Sequence, residues 1–453
     1  MSPFFNTHKE TLDFFLILER FYPDFEEDKV NREFVFTELY PDKTEDDYND
    51  SQMRTLRKYL LNKLTHFLAY QSWKNDSLAV QLDLIDYLST LGEPKILEKY
   101  IQRGRSLAKQ KELTGSRMFA HQFDLEIHAL TFHVEHRSRK QIADLSANHK
   151  YLDWFFFLNK LKLYASSLNS ELIFNEQIVQ NPTAEFSFRF VGDFFEDFPP
   201  VIQAYYLGCK LLKFREKDLD VDFYRMKEIV RSCGENFENE DFGNLYVLLI
   251  SIANQKYISG NGKYIEEMFE VYKDMLEHKL LFDGEIFPVH NYKNLVTLGL
   301  RNNQLEWTEE FMEEYIKFVP VSYREDVYTY NKAHLYIYQD RFSDALKLLQ
   351  MMKFLDTFYQ LGAKMLQLKI YYEQSDVETF FNFAKTFQNN IRRQKDLPES
   401  RKKAYDNFVK LCRNLFRVKI QEKDFSESIL EEIEMTQPII EKHWLKDKLN
   451  QMV

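Results

Sequence analysis

The sequence predicts an all-α protein, a solenoid of antiparallel helix pairs that is most regular in its C-terminal half. Three observations predict it. The chain has only 12 glycines and 11 prolines in 453 residues, against roughly 7% and 5% in average proteins. It therefore lacks the turn residues of an all-β fold and the glycine-rich phosphate loops that open many α/β folds. Apolar residues recur at helical spacing along most of its length. A two-helix pattern also repeats every 34–37 residues between about 285 and 393.

Residues 8–22 read as a short amphipathic helix, with Leu12, Phe15, Leu16 and Glu19 at helical spacing. Residues 23–50 form a connector, strongly acidic and opposed only by Lys29, Arg32 and Lys43. Pro23 and Pro41 break helices there, leaving a short helix around 30–40 and an exposed acidic loop around 42–50. From Ser51 a long helix begins, its stripe made by Met53, Leu56, Tyr59, Leu60, Leu64, Phe67 and Leu68. Further helices are predicted at about 76–91, 94–112, 117–136, 144–167 and 200–215, with Asp76 and Ser116 as N-caps. Residues 181–200 carry Pro182, Gly192, Pro199 and Pro200 among six phenylalanines and read as an ordered, irregular join. Four consecutive aromatics, Trp154 to Phe157, predict a helix buried on more than one side. The organisation is thus 1–50, N-terminal helix and acidic connector; 51–180, helical half; 181–200, join; 201–393, helical repeats; 394–453, basic then mixed-charge helices.

The repeat is clearest in Tyr330-Asn331-x-Ala333-x-x-Tyr336-x-x-Gln339-x-x-Phe342-x-x-Ala345-Leu346. Small residues at 333 and 345 let two antiparallel helices approach across a turn at Gln339-Asp340-Arg341. The pattern recurs 35 residues later at Leu368, Tyr371, Val377, Phe380 and Ala384, and 37 residues earlier at Val296, Gly299, Leu305, Thr308 and Met312. A looser copy spans about 243–278, turning at Ser259-Gly260-Asn261-Gly262. Two helices in this period resemble the tetratricopeptide (TPR) repeat, with Phe380 standing where that motif has alanine.

The order of features also resembles a group of uncharacterised bacterial helical proteins with degenerate TPRs. The matching stretches are Ser2-Pro3-Phe4-Phe5-Asn6, Phe21-Tyr22-Pro23-Asp24-Phe25, Leu366-x-Leu368-Lys369-Ile370-Tyr371-Tyr372-Glu373 and Ile391-Arg392-Arg393. The resemblance implies a fold and no activity. In that group the first motif follows an extra helix, so an N-terminal piece preceding Met1 is expected.

Aromatic residues make up 16% of the chain, ample apolar surface for a core. The net charge of −11 argues against a dedicated nucleic-acid binder. Cys209, Cys233 and Cys412 are scattered, neither a disulfide framework nor a zinc knuckle, and point to a reducing, cytoplasmic setting. Lys9, Glu10 and Asp13 interrupt any signal-peptide core, and no apolar run is long enough to span a bilayer.

Five histidines, His121, His128, His133, His136 and His149, cluster within 29 residues. They do not converge on a helix face as metal ligands must, so no metal or cofactor is expected. Glu309, Glu310, Glu313 and Glu314 read as a solvated acidic face. No Walker, nucleophile-elbow, kinase or dinucleotide motif is present, so no catalytic residue is assigned. From Lys385 to Lys423 twelve basic residues oppose four acidic ones, and Lys99 to Arg117 is a second basic stretch. Such patches suit nucleic acid or an acidic protein segment, or else balance charges within the chain.

A solenoid lines its concave face with the first helix of each pair. In the TPR register the groove positions are Lys293 and Thr297, then Tyr330 and His334, then Lys369 and Tyr372. The leading expectation is a non-enzymatic scaffold holding a protein or peptide in that groove. The alternative is a regulator touching nucleic acid through Arg392, Arg393, Lys395, Arg401, Lys402 and Lys403. A hydrolase with a site built from distant residues is the third reading. A far-ultraviolet circular dichroism spectrum should be dominated by helix; a major strand component refutes the fold class.

Overall fold

The computed structural model describes residues 8–22, 25, 30–111, 113–135, 145–174, 181–215, 217–352, 357–394, 397–421 and 426–452. The described residues are helical, with no strand among them. The chain divides into two compact units, Met1–Leu245 and Tyr246–Val453.

The first unit opens with α1 (Lys9–Glu19), α2 (Arg32–Leu39) and α3 (Asp50–Asn75). Their shared core is Phe14, Ile17, Val35, Phe36, Met53, Leu56 and Leu60. The acidic loop is exposed and holds a single 3-10 turn, Glu45–Asp47, inside a Thr44–Asp47 capping box. Next come α4 (Ser77–Ser89), α5 (Pro94–Lys111) and α6 (Ser116–Glu135), closed over Leu78, Leu82, Ile85, Ile101 and Leu125. Each such side chain, fully buried, contributes about 1.5–3 kcal/mol. Asp76 caps α4 through the amides of Leu78 and Ala79. Ser116 does not cap α6. Its hydroxyl goes to Asn159, and the Glu238 carboxylate instead accepts from the amides of Met118 and Arg117 at 2.7 and 3.3 Å.

The unit continues with α7 (Leu145–Phe174), α8 (Pro182–Asp193), α9 (Pro200–Lys213) and α10 (Asp220–Cys233). Residues 181–200 are thus a helix and a turn rather than an irregular join. Pro182 sits at the first helical position, where a missing amide costs nothing, and Asn181 caps the amides of Thr183 and Ala184. The aromatic run on α7 is buried on one side only: Phe157 is buried, while Phe155 and Phe156 are more than a third exposed. The stripe facing inward is Phe157, Leu158, Leu161 and Ala165. Helix α11 (Asn239–Ile258) crosses the boundary between units, and its first turn carries the fully buried Asp241. Lys162 Nζ lies 2.7 Å from that carboxylate, and the Tyr205 hydroxyl donates to it at 3.0 Å.

The second unit holds α12 (Tyr264–Glu277), α13 (Val289–Arg301), α14 (Leu305–Tyr315), α15 (Val321–Tyr338), α16 (Phe342–Met351), α17 (Thr357–Glu373), α18 (Val377–Arg393), α19 (Glu399–Gln421), α20 (Ser426–Met435) and α21 (Lys442–Asn450). Helix α13 packs on α14 and α15, α15 on α16 and α17, and α17 on α18. The same turn joins three of these pairs. Asn303, Asp340 and Ser375 all adopt positive φ, between 54° and 58°. The amides that follow the first two, of Gln304 and Arg341, return to Gly299 O and Tyr336 O at 2.9 and 2.8 Å. This is the left-handed helix ending that satisfies orphan carbonyls. Gly260, at φ 106°, turns α11 toward α12.

Small residues set the helix separation within pairs. Ala333 and Ala345 are wholly buried, and a β-carbon on Gly299 would lie 2.2 Å from the Thr308 hydroxyl. Overpacking such a contact costs about 1–3 kcal/mol. Ala333→Trp and Ala345→Trp should each lower the melting temperature, whereas Lys347→Trp, at a side chain 74% exposed, should leave it unchanged.

Candidate functional site

In the second unit, α13, α15 and α17 bring Arg301, His334 with Tyr338, and Lys369 to a common cavity. The cavity measures about 310 Å³, and α21 with its leading residue supplies Glu441, His443, Trp444 and Asp447. Tyr257 of α11 and Ile265 of α12 complete the lining.

Glu441 occupies the N-cap position of α21 in the left-handed region, at φ 54°, and its side chain caps nothing. The carboxylate turns instead to Lys369 Nζ at 2.8 Å and Arg301 at 3.5 Å. Burial by itself would raise the carboxyl's pKa; the Lys369 and Arg301 cations outweigh it and hold Glu441 down at about 2. At Arg301 burial is the largest single effect, and Glu441, Tyr257, Tyr338 and Asp447 together outweigh it and raise the guanidinium's pKa. His334 is pushed down to about 3 by burial and then by the Lys369 cation, with Glu441 pulling the other way. Its Nδ1 is out of solvent contact and has no hydrogen-bond partner among the described residues. His443 stacks on Tyr257 with ring centroids 4.0 Å apart, and Lys369 Nζ sits 5.2 Å from the Trp444 ring centre.

Of the six groove positions predicted from sequence, His334 and Lys369 meet at this cavity. Lys293 Nζ lies over the Tyr330 and Tyr359 rings at 5.0 and 5.5 Å, and the Thr297 hydroxyl donates to its own helix at Lys293 O. Tyr330 and Tyr372 are each 1% exposed and belong to the packing rather than to an open groove. Tyr330 packs edge-on against Tyr359; Tyr372 is covered by Phe416 of α19 and Trp444 of α21. The sequence reading missed Arg301 and Tyr338, although each lies one helical turn beyond a predicted position, at Thr297 and His334. Extending both stripes by four residues would have found them. Glu441, 72 residues beyond Lys369, left no such signal.

In the basic patch, Arg392 and Arg393 end α18, and Arg401, Lys402 and Lys403 lie in the first turns of α19. Lys395 falls outside the described residues. Arg392 approaches Asp406 at 3.8 Å and Lys402 pairs with Glu399 at 2.6 Å; Arg393, Arg401 and Lys403 are exposed. In the first unit His121 and His128 face different carboxylates, Asp76 and Asp86. His136 lies outside the described residues, and among those described no group of side chains gathers as a metal site needs. The acidic face of α14 is paired in part, Glu309 and Glu313 lying 2.7 and 3.6 Å from Lys332. Among the described residues no helix is long and apolar enough to cross a membrane. Comparison of the chain with protein-family models, curated proteins and solved structures finds no match.

Lys369→Met removes the nearer of the two cations on the Glu441 carboxylate and leaves it only Arg301 at 3.5 Å. A fully buried pair broken in this way costs about 3–5 kcal/mol. With the Glu441 side chain 21% exposed, a loss of about 2 kcal/mol in urea unfolding is expected. The site also destabilises in acid, in two separable windows. A histidine held neutral in the fold binds its proton more readily when unfolded. Its contribution is complete above pH 6.5 and is lost as pH falls from 6.5 toward 3. His443 is shifted the same way. Glu441 contributes fully above pH 4.5 and loses its contribution between 4.5 and about 2. His334→Gln should therefore flatten the stability profile just below pH 6.5, and Glu441→Gln only below 4.5.

Proposed function

We propose that the chain is a non-enzymatic helical-repeat scaffold of the cytoplasm, TPR-like in its second unit, that holds a protein or peptide segment against α13, α15 and α17. One observation carries this reading. The wall formed by these helices already holds a carboxylate from a distant part of the chain, with Glu441 seated on Lys369 and Arg301. The wall is therefore chemically suited to a carboxylate-bearing segment. The recurring turns at Asn303, Asp340 and Ser375, spaced like the sequence repeat, support the TPR-like reading. So do the small residues within each pair. The scattered cysteines support a reducing compartment.

The partly exposed members of the wall, Lys293 and Tyr338, are the contacts a partner would use. Tyr338 offers a large ring with a polar tip and Lys293 a cation. An affinity pull-down from the native cell, read by mass spectrometry, tests this directly. Lys293→Glu with Tyr338→Ala should abolish retention of the captured protein. Reversing the charge of Arg401, Lys402 and Lys403 should leave it intact. Each variant must first melt like the wild type. The opposite outcome, together with heparin retention that falls steeply with salt, moves the function to the basic patch and nucleic acid.

A further inference from the structure

We propose that the cavity between α11, α12, α13, α15, α17 and α21 is a binding site for a small zwitterion of the amino-acid type. Its volume of about 310 Å³ stands at the lower end of the roughly 300–1,000 Å³ of ligand pockets. The space lies beside the Glu441 ion pair and is not filled by it.

The lining carries more hydrogen-bonding capacity than it uses. An arginine has five N–H donors and a lysine three. Arg301 reaches Glu441 through one nitrogen at 3.5 Å and the Tyr257 hydroxyl besides; Lys369 gives one short bond, to Glu441. Both cations therefore keep donors for a second carboxylate. His334 Nδ1 is the complementary signal: a buried polar atom with no partner among the described residues. Such an orphan costs about 1–3 kcal/mol unless something bonds to it. Among the described residues nothing does so, and the imidazole that carries it lines the cavity.

The charge balance selects the ligand class. Arg301 and Lys369 are opposed by Glu441 and Asp447, and His334 and His443 are both held toward neutrality. An added anion or cation would leave the lining with uncompensated charge. A ligand carrying both charges would not. Asp447 is exposed and its carboxylate forms no hydrogen bond or ion pair among the described residues, yet it lies close enough to act on Arg301, Tyr257, Tyr338 and His443. The ligand's carboxylate goes to Arg301 and Lys369 and its ammonium to Asp447. Tyr257, Trp444 and Ile265 provide apolar surface for a short side chain. The inference stands apart from the protein-partner reading and does not need it.

The test is thermal unfolding and titration calorimetry of the full chain with the twenty free amino acids, each beside propionate and propylamine as single-charge controls. Binding to the folded state raises stability by RT ln(1 + [L]/Kd). The expected result is a saturable rise in melting temperature with one or a few amino acids and none with either control. Asp447→Asn, at an exposed position, should weaken that affinity about tenfold or more through loss of a charge-assisted bond. His334→Gln, at a side chain that lines the cavity, should weaken it as well in calorimetry, and the unliganded Asp447→Asn protein should melt near wild type. A shift from propionate equal to that from the amino acids overturns the assignment. So does an Asp447→Asn protein that binds as tightly as wild type, or the absence of any shift across the panel.

Discussion

Two helices joined by a three-residue turn cannot bury both of their apolar faces against each other. That constraint governs the second unit. Within a pair, the approach of Gly299 to Thr308 and the buried alanines Ala333 and Ala345 let the helices come close and leave the aromatic residues to fill around them. Between pairs, α15 packs on both α13 and α17, and its large buried side chains, Tyr330 above all, settle against the neighbour. Even after this stacking, one face of α13, α15 and α17 needs cover. The chain's own C-terminal residues supply part of it: Trp444 rests on Tyr372 and His443 on Tyr257.

That cover explains the charge chemistry. A lysine only 8% exposed at its side chain, as Lys369 is, is costly to hold charged unless a partner is fixed beside it. Glu441 is that partner, set by a left-handed residue at the start of α21. The pair gives fold and site one element in common. What pins α21 against the first helices of the pairs also builds the polar wall, and it leaves His334 Nδ1 buried without a hydrogen-bond partner among the described residues.

Much of the architecture was legible beforehand, because helical periodicity is a local property. The long helix from about Ser51, the Asp76 cap and the turns at Gln339-Asp340-Arg341 and Ser259–Gly262 all lie where their residues predict. Misreadings came where a local signal was ambiguous. Pro182 carries the signal of a break, yet a proline preceded by asparagine also starts a helix. Ser116 has the chemistry of a cap, but a carboxylate 122 residues later took the role. Four aromatics in a row looked buried all round, yet α7 has neighbours on one side only at Phe155 and Phe156.

The site divides in the same way. Spacing by three and four residues fixes a helix face whatever packs on it, so the side chains that share the inward stripe of each first helix can be read from the chain alone. His334 and Lys369 followed from that. Whether a stripe position is open or covered depends on what the rest of the chain lays over it, and no local pattern encodes that. Tyr330 and Tyr372 share the predicted register with His334 and Lys369. Tyr359 closes over Tyr330 and Trp444 over Tyr372, making both core, while Glu441 comes in beside Lys369 and leaves it with His334 in the wall of a cavity; these arrivals come from distant residues that the local pattern does not encode.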